Sequence, residues 1–515
     1  MQPLYSLTEI MWQSQSAYPV LAVLQLLPLL AMLFALWLRH HETLVKLIAV
    51  VTTAAVLVLV ILLYQGFDSQ NTAMQYAEHW SFLPGYHAAI DGVSLLFLLL
   101  TAFISAMLVV YAMARQIDEM SKLLPAILAV EAVLMSLFAT LNLLWFTLFS
   151  ALELVLVAYL LLHWASSPEK DLARARYVQF MLVALLLLFA GVMILGWNYA
   201  DSTGAAGGAG QWSFDLLDLL KVQIPVPLQS LIFFLLFYGL AIRTPMFPLH
   251  GWLPVFTTHG NVALAPAVML GIKVGIYGML RFVLPLTPAA IQHWQPYIIA
   301  FAVAGVFYAA ILAFMQKNLR RLLAFAVISH TSILVIGLFS LGDSAFQGSV
   351  LLSANFGLAI VALVFMSGFV FRRSHSLLLT HLGGLFDTIP LIGATFLIAG
   401  LAIVGMPGTP GFDAAHLILE AAMERFGAVL TVVAALGNVI AAGFLLWSFQ
   451  RAFLTPRDAP VSDSYQEKTT WAERAVALLL LAVLITVGFY SRPWLELIEV
   501  PLQGLSGLYP VEVAR

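Results

Sequence analysis

The stretch GLAIRTPMFPLHGWLPVFTTHGNVALAPAVMLGIKVGIYGMLRF, residues 239–282, places an arginine, Arg243, and a lysine, Lys273, inside apolar sequence and carries a second arginine, Arg281, next to its end. A charged side chain at membrane depth is costly unless it is paired or hydrated, so such a residue indicates function. Arg243 and Lys273 are therefore the first candidates for functional residues. A proline-kinked helix whose arginine reaches toward the membrane surface is the alternative for Arg243.

Three prolines, Pro245, Pro248 and Pro254, interrupt the helix that carries Arg243. Each lacks the amide hydrogen that a helix interior needs, which predicts a broken helix. Irregular backbone persists in a bilayer only where protein or a water-filled cavity satisfies its polar groups. A broken helix with buried cations therefore indicates an ion path.

Composition places the chain in a membrane. Of its 515 residues, 62% are hydrophobic and 10% are charged, and the mean hydropathy is +0.97. Cysteine is absent, which excludes thiolate metal sites, disulfides and cysteine-held iron–sulfur clusters, so we expect any electron transfer in another subunit. A net charge of −3 argues against a nucleic-acid partner. The N-terminal MQPLYSLTEIMWQ lacks a basic region, so we expect no cleaved signal peptide.

Hydrophobic runs of about 17 to 25 residues, the length that crosses a hydrocarbon core, follow one another along the chain. We predict an all-α polytopic membrane protein with about 14 transmembrane helices. The predicted spans are Pro19–Leu38, Leu44–Tyr64, Val93–Met113, Leu123–Leu141, Leu143–His163, Tyr177–Gly196, Leu228–Phe247, Val262–Phe282, Tyr297–Met315, Leu322–Leu341, Gly348–Phe371, Pro390–Met406 continuing after a break to Glu424, Ala428–Phe453 and Ala475–Tyr490.

Lysine and arginine fall unevenly between alternate loops, which predicts the orientation. The richer side holds Arg39, Lys46, Arg115, Lys122, Lys170, Arg174, Arg176, Lys317, Arg320, Arg321, Arg372, Arg373, Arg451, Arg457, Lys468 and Arg474, and the other side holds Lys221, Arg281, Arg425, Arg492 and Arg515. This excess predicts a multi-pass protein of a bacterial inner membrane with both termini in the periplasm.

One outward loop runs from Asn198 to Val226. Its GAAGGAG segment predicts a flexible linker, and WSFDLLDLLK predicts a short amphipathic helix.

A second break, MPGTPGF at Met406–Phe412, corresponds to the one at Pro245–Pro254. Interrupted segments at related places in two halves are the sequence sign of inverted repeats with a central site. We predict N-terminal helices in 1–122, a first repeat in 123–282, a second repeat in 297–453, and a C-terminal loop and last helix in 454–515.

Glu131 and Glu153 each lie midway along a predicted span, within ILAVEAVLM and FSALELVLV. A carboxylate at this depth is either neutral or paired with a cation. Both states suit a proton carrier. A structural hydrogen bond between helices is the alternative for each residue.

Four histidines lie in or beside apolar segments: His250, His259, His330 and His416. Histidine titrates near neutral pH and relays protons, but a hydrogen-bonded packing role suits each of them equally. No two have the spacing of metal ligands with a supporting carboxylate, so we expect neither a metal nor a cofactor.

Asp413, His416 and Glu420 follow the second break. Their spacings of three and four residues place them on one face of a helix. Such a polar stripe predicts a port between the ion path and the aqueous surface, and a solvated helix end is the alternative.

Several motifs are similar to those of the antiporter-like, proton-conducting membrane subunits of respiratory complex I and its relatives, in particular the chain M type. They are DGVSLLFLLLTAF (91–103), the glutamate in an apolar helix at Glu153, PLHGWLP (248–254), GIKVGIYGMLRF (271–282), NLRRLLAFAVISH (318–330), MPGTPGF (406–412) and LLWSFQRAF (445–453). The resemblance spans nearly the whole chain in the family's order. It implies a fold with inverted repeats and, as partners, further membrane and soluble subunits.

The resemblance also implies residue roles. Glu153, Arg243 and Lys273 match channel residues of the family. His330 matches a histidine in the second repeat, and Glu131 matches a glutamate in the preceding helix.

The sequence departs from the family at three points. Arg243 stands in place of a lysine, and because arginine keeps its charge it biases a neighbour rather than releasing a proton. VFTTHGN follows PLHGWLP where the family has an aspartate. Ala415 stands in place of a glutamate or lysine, so we expect His416 and Glu420 to line a rerouted exit with Asp413 at its mouth.

Two hypotheses follow. The chain is a proton-translocating subunit, with protons or other monovalent cations passing Glu153, Arg243, Lys273 and His330, or it is a non-conducting anchor for a soluble enzyme. The departures favour a relative of the complex I subunit in another assembly, such as a complex that couples ion flow to inorganic-carbon uptake with a soluble zinc-containing partner. Complex I itself, hydrogenase-linked complexes and cation/proton antiporters are the alternatives. The chain by itself is not expected to be catalytic.

Overall fold

The computed structural model describes residues 18–80, 83–165, 167–204, 210–260, 265–456 and 467–509. Nearly all secondary structure in these ranges is helical. As far as the first break the helices are α1 (Val20–Trp37), α2 (Glu42–Gly66), α3 (Gly92–Arg115), α4 (Met120–Ala139), α5 (Leu143–Trp164), α6 (Lys170–Thr203), α7 (Leu216–Lys221) and α8 (Val226–Arg243).

Beyond the first break the order of elements continues to the C-terminal region. They are α9 (Leu253–His259), α10 (Ala265–Gly278), the π-helical turn π1 (Met279–Val283), α11 (Leu284–Leu286), α12 (Pro288–Phe314), α13 (Leu319–Leu338), α14 (Asp343–Ser374), a 3₁₀ turn (Leu379–His381), α15 (Leu385–Thr388), α16 (Pro390–Val404), α17 (Gly411–Phe426), α18 (Ala428–Phe449), π2 (Gln450–Leu454), α19 (Trp471–Phe489) and α20 (Arg492–Ser506).

Twelve helices within the described ranges are long and apolar enough to cross a membrane. This confirms the polytopic all-α prediction. The two other predicted spans consist of shorter pieces, α10 with π1 and α11, and α16 with α17. The predicted number of about 14 is reached only when these composite spans are included.

Helices α4, α13 and α14 form the centre of the molecule. In the most apolar 18-residue stretch of each of these helices, between 94% and 100% of the residues are buried. In α1, α2, α18 and α19 the corresponding share is about a third or less. The enclosed helices are therefore the ones that can hold polar groups away from lipid.

The first predicted break is confirmed. Helix α8 ends at Arg243 and the chain turns before α9 begins at Leu253. The indole Nε1 of Trp252 donates a hydrogen bond to the carbonyl of Ile242 at 2.9 Å. A side chain thus satisfies a carbonyl at the end of the interrupted helix, as membrane depth requires.

The second predicted break is confirmed as well. Helix α16 ends at Val404, and the next residue, Gly405, caps it with a φ of 77°, in the left-handed region that glycine adopts without strain. Helix α17 starts at Gly411. The Asn355 side chain of α14 donates to the carbonyl of Pro410, which ties this break to the central helix.

The same order of elements occurs twice. Three long helices, a broken helix and a helix that ends in a π turn run from α4 to π1 and again from α12 to π2. This order agrees with the predicted repeats, whose boundaries at 123–282 and 297–453 stay a prediction.

A β-hairpin between α2 and α3 was not predicted. Strand β1 (Gln75–His79) pairs antiparallel with β2 (His87–Ile90). The Glu78 carboxylate accepts hydrogen bonds from the backbone N–H groups of Leu21 and Ala22, both at 2.8 Å, and so holds the hairpin to the start of α1.

The predicted short helix in the 198–226 loop is present as α7. Most of the predicted glycine linker, residues 205–209, lies outside the described ranges.

Candidate functional site

Glu153 and Arg243 form a buried ion pair at the first break. Arg243 is the last residue of α8, and Glu153 lies midway along α5. The same guanidinium donates to Ser150 Oγ at 2.7 Å and to the Gly271 carbonyl at 3.1 Å. Its three contacts fix the cation between α5, α8 and α10.

Glycines of α10 allow this close approach. A Cβ atom on Gly271 would collide with the Glu153 carboxylate, and one on Gly275 would collide with the Thr244 hydroxyl. Glycine at these positions therefore makes room for the ion pair and for the end of α8.

A small cavity of about 30 Å³ adjoins the pair. Ser150, Glu153, Arg243, Tyr177 and Trp252 contribute to its wall. A volume of this size holds about one or two waters when polar groups line it. The Glu153 carboxylate is thus placed beside a site suited to water.

Lys273 lies two residues after Gly271 on α10 and is 2% exposed. Its Nζ lies 4.5 Å from the centroid of the Phe356 ring. Within the described ranges no carboxylate forms an ion pair with Lys273. The ammonium is therefore stabilised by an aromatic face rather than by an anion.

His330, on α13, is 1% exposed. Its Nε2 lies 2.5 Å from the carbonyl of Ile403 near the end of α16. The ring stacks on Phe356 with centroids 5.2 Å apart and planes 1° apart. Lys273 and His330 thus share one aromatic neighbour.

Glu131 is fully buried on α4, and neither carboxylate oxygen has a hydrogen-bond partner among the described residues. His250 is buried in the first break beside the rings of Phe247 and Tyr308, and its Nδ1 also lacks a partner there. Within the described part of the chain, the structure therefore shows no interhelical hydrogen bond from the Glu131 carboxylate or from His250 Nδ1. Their roles in a proton path stay predictions.

His259 lies at the end of α9 and faces the loop before α6. Its Nδ1 is 3.0 Å from Ser167 Oγ and its Nε2 is 3.2 Å from Glu169 Oε2. Because Glu169 is 63% exposed, this group belongs to the surface rather than to the membrane interior. The structure does not bring His259 to the Glu153–Arg243 pair.

The stripe on α17 is separate from the buried groups. His416 and Glu420 are exposed, and Asp413 is partly buried and accepts a hydrogen bond from the Ser491 hydroxyl. The predicted exit therefore lies at the surface of this chain and not in its interior. No contact within the described ranges joins His416 to His330.

Sequence reasoning missed a second buried pair. Arg281 Nη2 lies 2.5 Å from Asp91 Oδ1, and both residues are about 5% exposed or less. Ser94 and Tyr277 complete the network around the guanidinium. The predicted span Val262–Phe282 contained Arg281, but we counted the residue with the loops of the less basic side. The structure corrects that count: Arg281 is buried inside π1 with apolar neighbours on both sides. Those neighbours were the signal that could have revealed it.

A third pair joins α14 to α19. Arg373 is 1% exposed and contacts Glu473 through Nη2–Oε2 at 2.7 Å and Nη1–Oε1 at 3.3 Å. Glu473 also completes a capping box with Thr470 at the start of α19. We counted Arg373 among loop residues, and the structure corrects this because its side chain is enclosed.

Comparison with known proteins identifies the family. The family model described as NADH:quinone oxidoreductase/Mrp antiporter, TM matches residues 140–441. This range includes Glu153, Arg243, Lys273 and His330. The chain belongs to this family.

The relatives match over most of their length. NADH-ubiquinone oxidoreductase chain 4 of Marchantia polymorpha is 27% identical, over 95% of this chain and 97% of the relative. NADH-quinone oxidoreductase subunit M of Rickettsia conorii is 27% identical, over 85% of this chain and 88% of the relative. A chain of respiratory complex I from Thermus thermophilus superposes with a TM-score of 0.81 at 26% identity, covering 93% of this chain and 99% of that one.

Proposed function

We propose that this chain is the proton-translocating membrane subunit of a multi-subunit energy-coupling complex. The observation that carries the proposal is the buried Glu153–Arg243 pair at a helix break. Arg243 also contacts the Gly271 carbonyl, and two residues after Gly271 lies Lys273, which is buried and forms no ion pair within the described ranges. The chain is a multi-span membrane protein, and its relatives are subunits of NADH-quinone oxidoreductases.

Glu153 is the proton carrier of the first half. Water in the adjoining cavity delivers a proton to its carboxylate, which then loses its negative charge. Arg243 cannot release a proton, so its positive charge is left without a counterion in a low-dielectric site. The resulting rise in positive potential favours loss of the proton from Lys273.

Lys273 and His330 carry the proton onward. A neutral lysine regains a proton when Glu153 ionises again, because the Glu153–Arg243 pair then restores charge balance. His330 accepts and releases a proton without a metal or cofactor. The energy that drives the cycle comes from partner subunits.

The cytoplasmic side holds the arginine- and lysine-rich loops, and the termini face the periplasm of a bacterial inner membrane. The uneven distribution of basic residues supports this orientation. Bacterial relatives such as the Rickettsia conorii subunit support the location.

A second candidate function is a non-conducting membrane anchor. One specific observation favours it: from the start of α16 to the end of α17, residues 390–426, the buried polar side chains are Thr395 and Thr409, neither of which is titratable. The second broken helix thus lacks a buried counterpart of Arg243. A path through the second half then has to use His330 and the surface of α17.

Replacement of Lys273 with Met distinguishes the two functions. The intact complex containing this chain is reconstituted in proteoliposomes, and energy-driven proton uptake is followed with an internal pH dye. A conducting subunit loses at least about tenfold in proton uptake with normal assembly, because methionine keeps the side-chain length but removes the proton site. Lys46→Met, in an exposed pair with Glu42, is the control. Unchanged uptake in the Lys273 variant favours the anchor.

A further inference from the structure

Phe356 of α14 contacts two titratable residues of the predicted path, Lys273 and His330. The ring is 3% exposed and lies 4.5 Å from Lys273 Nζ, measured to its centroid. The His330 imidazole lies parallel to it with a centroid separation of 5.2 Å. A phenyl face attracts an ammonium ion through its quadrupole and stacks on an imidazole. One uncharged ring is thus the shared neighbour of the two proton sites.

No polar bridge accompanies this ring. Within the part of the chain that the structure describes, no hydrogen bond joins Lys273 to His330. Proton transfer requires donor and acceptor within about 2.6–3.2 Å, or one water between them. Phenylalanine has no exchangeable proton, so it cannot serve as that link.

The residues on either side of Phe356 connect the ring to other parts of the site. Asn355 donates to the carbonyl of Pro410 at the second break. A Cβ atom on Gly357 would come within 3.3 Å of Lys273 Cε, so glycine makes room for the lysine stem. Three consecutive residues of α14 therefore contact the second broken helix, His330 and Lys273.

We propose that Phe356 is an aromatic barrier that separates Lys273 from His330 and controls proton transfer between the two halves of the protein. The ring holds the lysine ammonium on the side of the Glu153–Arg243 pair, and transfer to His330 occurs only when the ring is displaced. This inference rests on the proposed proton-translocating function and adds the point at which the path is controlled.

The test measures passive proton entry. The intact complex with the full-length chain is placed in proteoliposomes, a potassium diffusion potential is imposed, and an internal dye reports the pH without turnover of the partner subunits. Phe356→Leu keeps apolar bulk but removes the ring, and Phe356→His keeps a flat ring and adds an exchangeable proton. Both variants should raise passive entry at least about fivefold, since the cation–aromatic contact is lost or replaced by a relay.

Two further variants make the result specific. Phe346→Leu, at another buried phenylalanine of α14 that packs near Tyr509, should leave passive entry at the wild-type rate. Adding Lys273→Met to Phe356→Leu should abolish the extra entry, because the leak then lacks its lysine.

Wild-type passive entry in both Phe356 variants overturns the barrier, as does a Phe356→Leu leak that persists without Lys273. If the leucine variant does not assemble, the histidine variant decides alone. The proposed function fails separately, through undiminished energy-driven uptake in Lys273→Met. A loss of uptake in that variant together with wild-type entry in both Phe356 variants rejects only the barrier.

Discussion

Two buried carboxylate–arginine pairs, Glu153–Arg243 and Asp91–Arg281, use the same chemical groups in different surroundings. Glu153 lies in the middle of a helix. Within the described ranges its carboxylate forms an ion pair with Arg243. Asp91 contacts Arg281 and also accepts the backbone N–H of Ser94 at 2.9 Å, where it caps α3. The first carboxylate is held by one cation and the second by a cation and a helix terminus.

The cations differ as well. Arg243 ends a broken helix, whereas Arg281 joins a network in which Tyr277 donates to the Phe138 carbonyl at 3.0 Å. Both pairs adjoin a small cavity, of about 30 Å³ at Arg243 and about 20 Å³ at Arg281. Burial alone therefore does not distinguish a proton carrier from a structural anchor. The two carboxylates differ in the number of fixed donors around them, and under the proposed function this difference favours Glu153 for conduction and Asp91 for stability.

The largest expected effect is on stability. Arg281→Leu leaves Asp91 buried without its cation, and removing one partner of a buried pair costs about 3–5 kcal/mol. Thermal unfolding in detergent should show a clear downward shift. Arg492→Ala, which removes an exposed pair with Glu496 (81% and 48% exposed), should change the free energy of unfolding by less than about 1 kcal/mol. Equal shifts in the two variants would place Arg281 outside the stabilising core.

The next effect concerns the space around Glu153. Gly271→Ala introduces a methyl group where the carboxylate lies, so the Glu153–Arg243 pair must shift. Energy-driven proton uptake should fall about tenfold, since a displacement of about 1 Å is enough to impair a positioned group strongly. Gly400→Ala is the matched control, because the nearest atom to its added Cβ is Leu445 Cβ at 3.9 Å. Wild-type uptake in Gly271→Ala would mean that the observed pair geometry is not required.

Arg243→Lys tests whether charge alone is sufficient. The guanidinium contacts Glu153, Ser150 and the Gly271 carbonyl with three different nitrogens, an arrangement that a single ammonium cannot reproduce. We expect assembly to be retained and proton uptake to fall severalfold, because an ammonium keeps the charge but cannot make all three contacts. Full uptake in the lysine variant would show that Arg243 acts only through its charge.

The smallest expected effect is on the stability of the β1–β2 hairpin, and it depends on pH. The hydrogen bond from His87 Nδ1 to Asp215 at 2.7 Å raises the pKa of His87 above its usual value, although burial opposes the rise. Because the folded pKa exceeds the unfolded value of about 6.5, the stabilisation is fully present below that pH and is lost as the pH rises through the folded pKa.

The difference in unfolding temperature between wild type and His87→Asn should therefore be larger near about pH 5.5 than near about pH 9. A difference independent of pH would assign His87 a packing role without a charge.

The two helix breaks and the two buried cations, Arg243 and Lys273, were predictable because they depend on local sequence. Prolines interrupt a helix wherever they occur, and Arg243 and Lys273 have apolar neighbours that exclude an aqueous loop. The pairing of Arg281 with Asp91 spans 190 residues, and that of Arg373 with Glu473 spans 100. Helical periodicity contains no information on such contacts.

Other features depended on packing that the sequence does not specify. Phe356 is one of 35 phenylalanines, and only the arrangement of α10, α13 and α14 distinguishes it. The stripe of Asp413, His416 and Glu420 was correctly placed on one helix, but which face of α17 packs inward could not be predicted. The β-hairpin was missed because its strands of five and four residues are too short to show a pattern.

The central claim is that Glu153 carries protons whereas Asp91 holds the fold. Its most direct test measures, in the same membranes, the amount of assembled chain and the energy-driven proton uptake per assembled complex for Glu153→Gln and Asp91→Asn. We expect Glu153→Gln to assemble normally and to lose at least about tenfold in uptake, because glutamine cannot exchange a proton. Asp91→Asn should assemble poorly, with wild-type uptake in the complexes that remain. Wild-type uptake in Glu153→Gln would contradict the account.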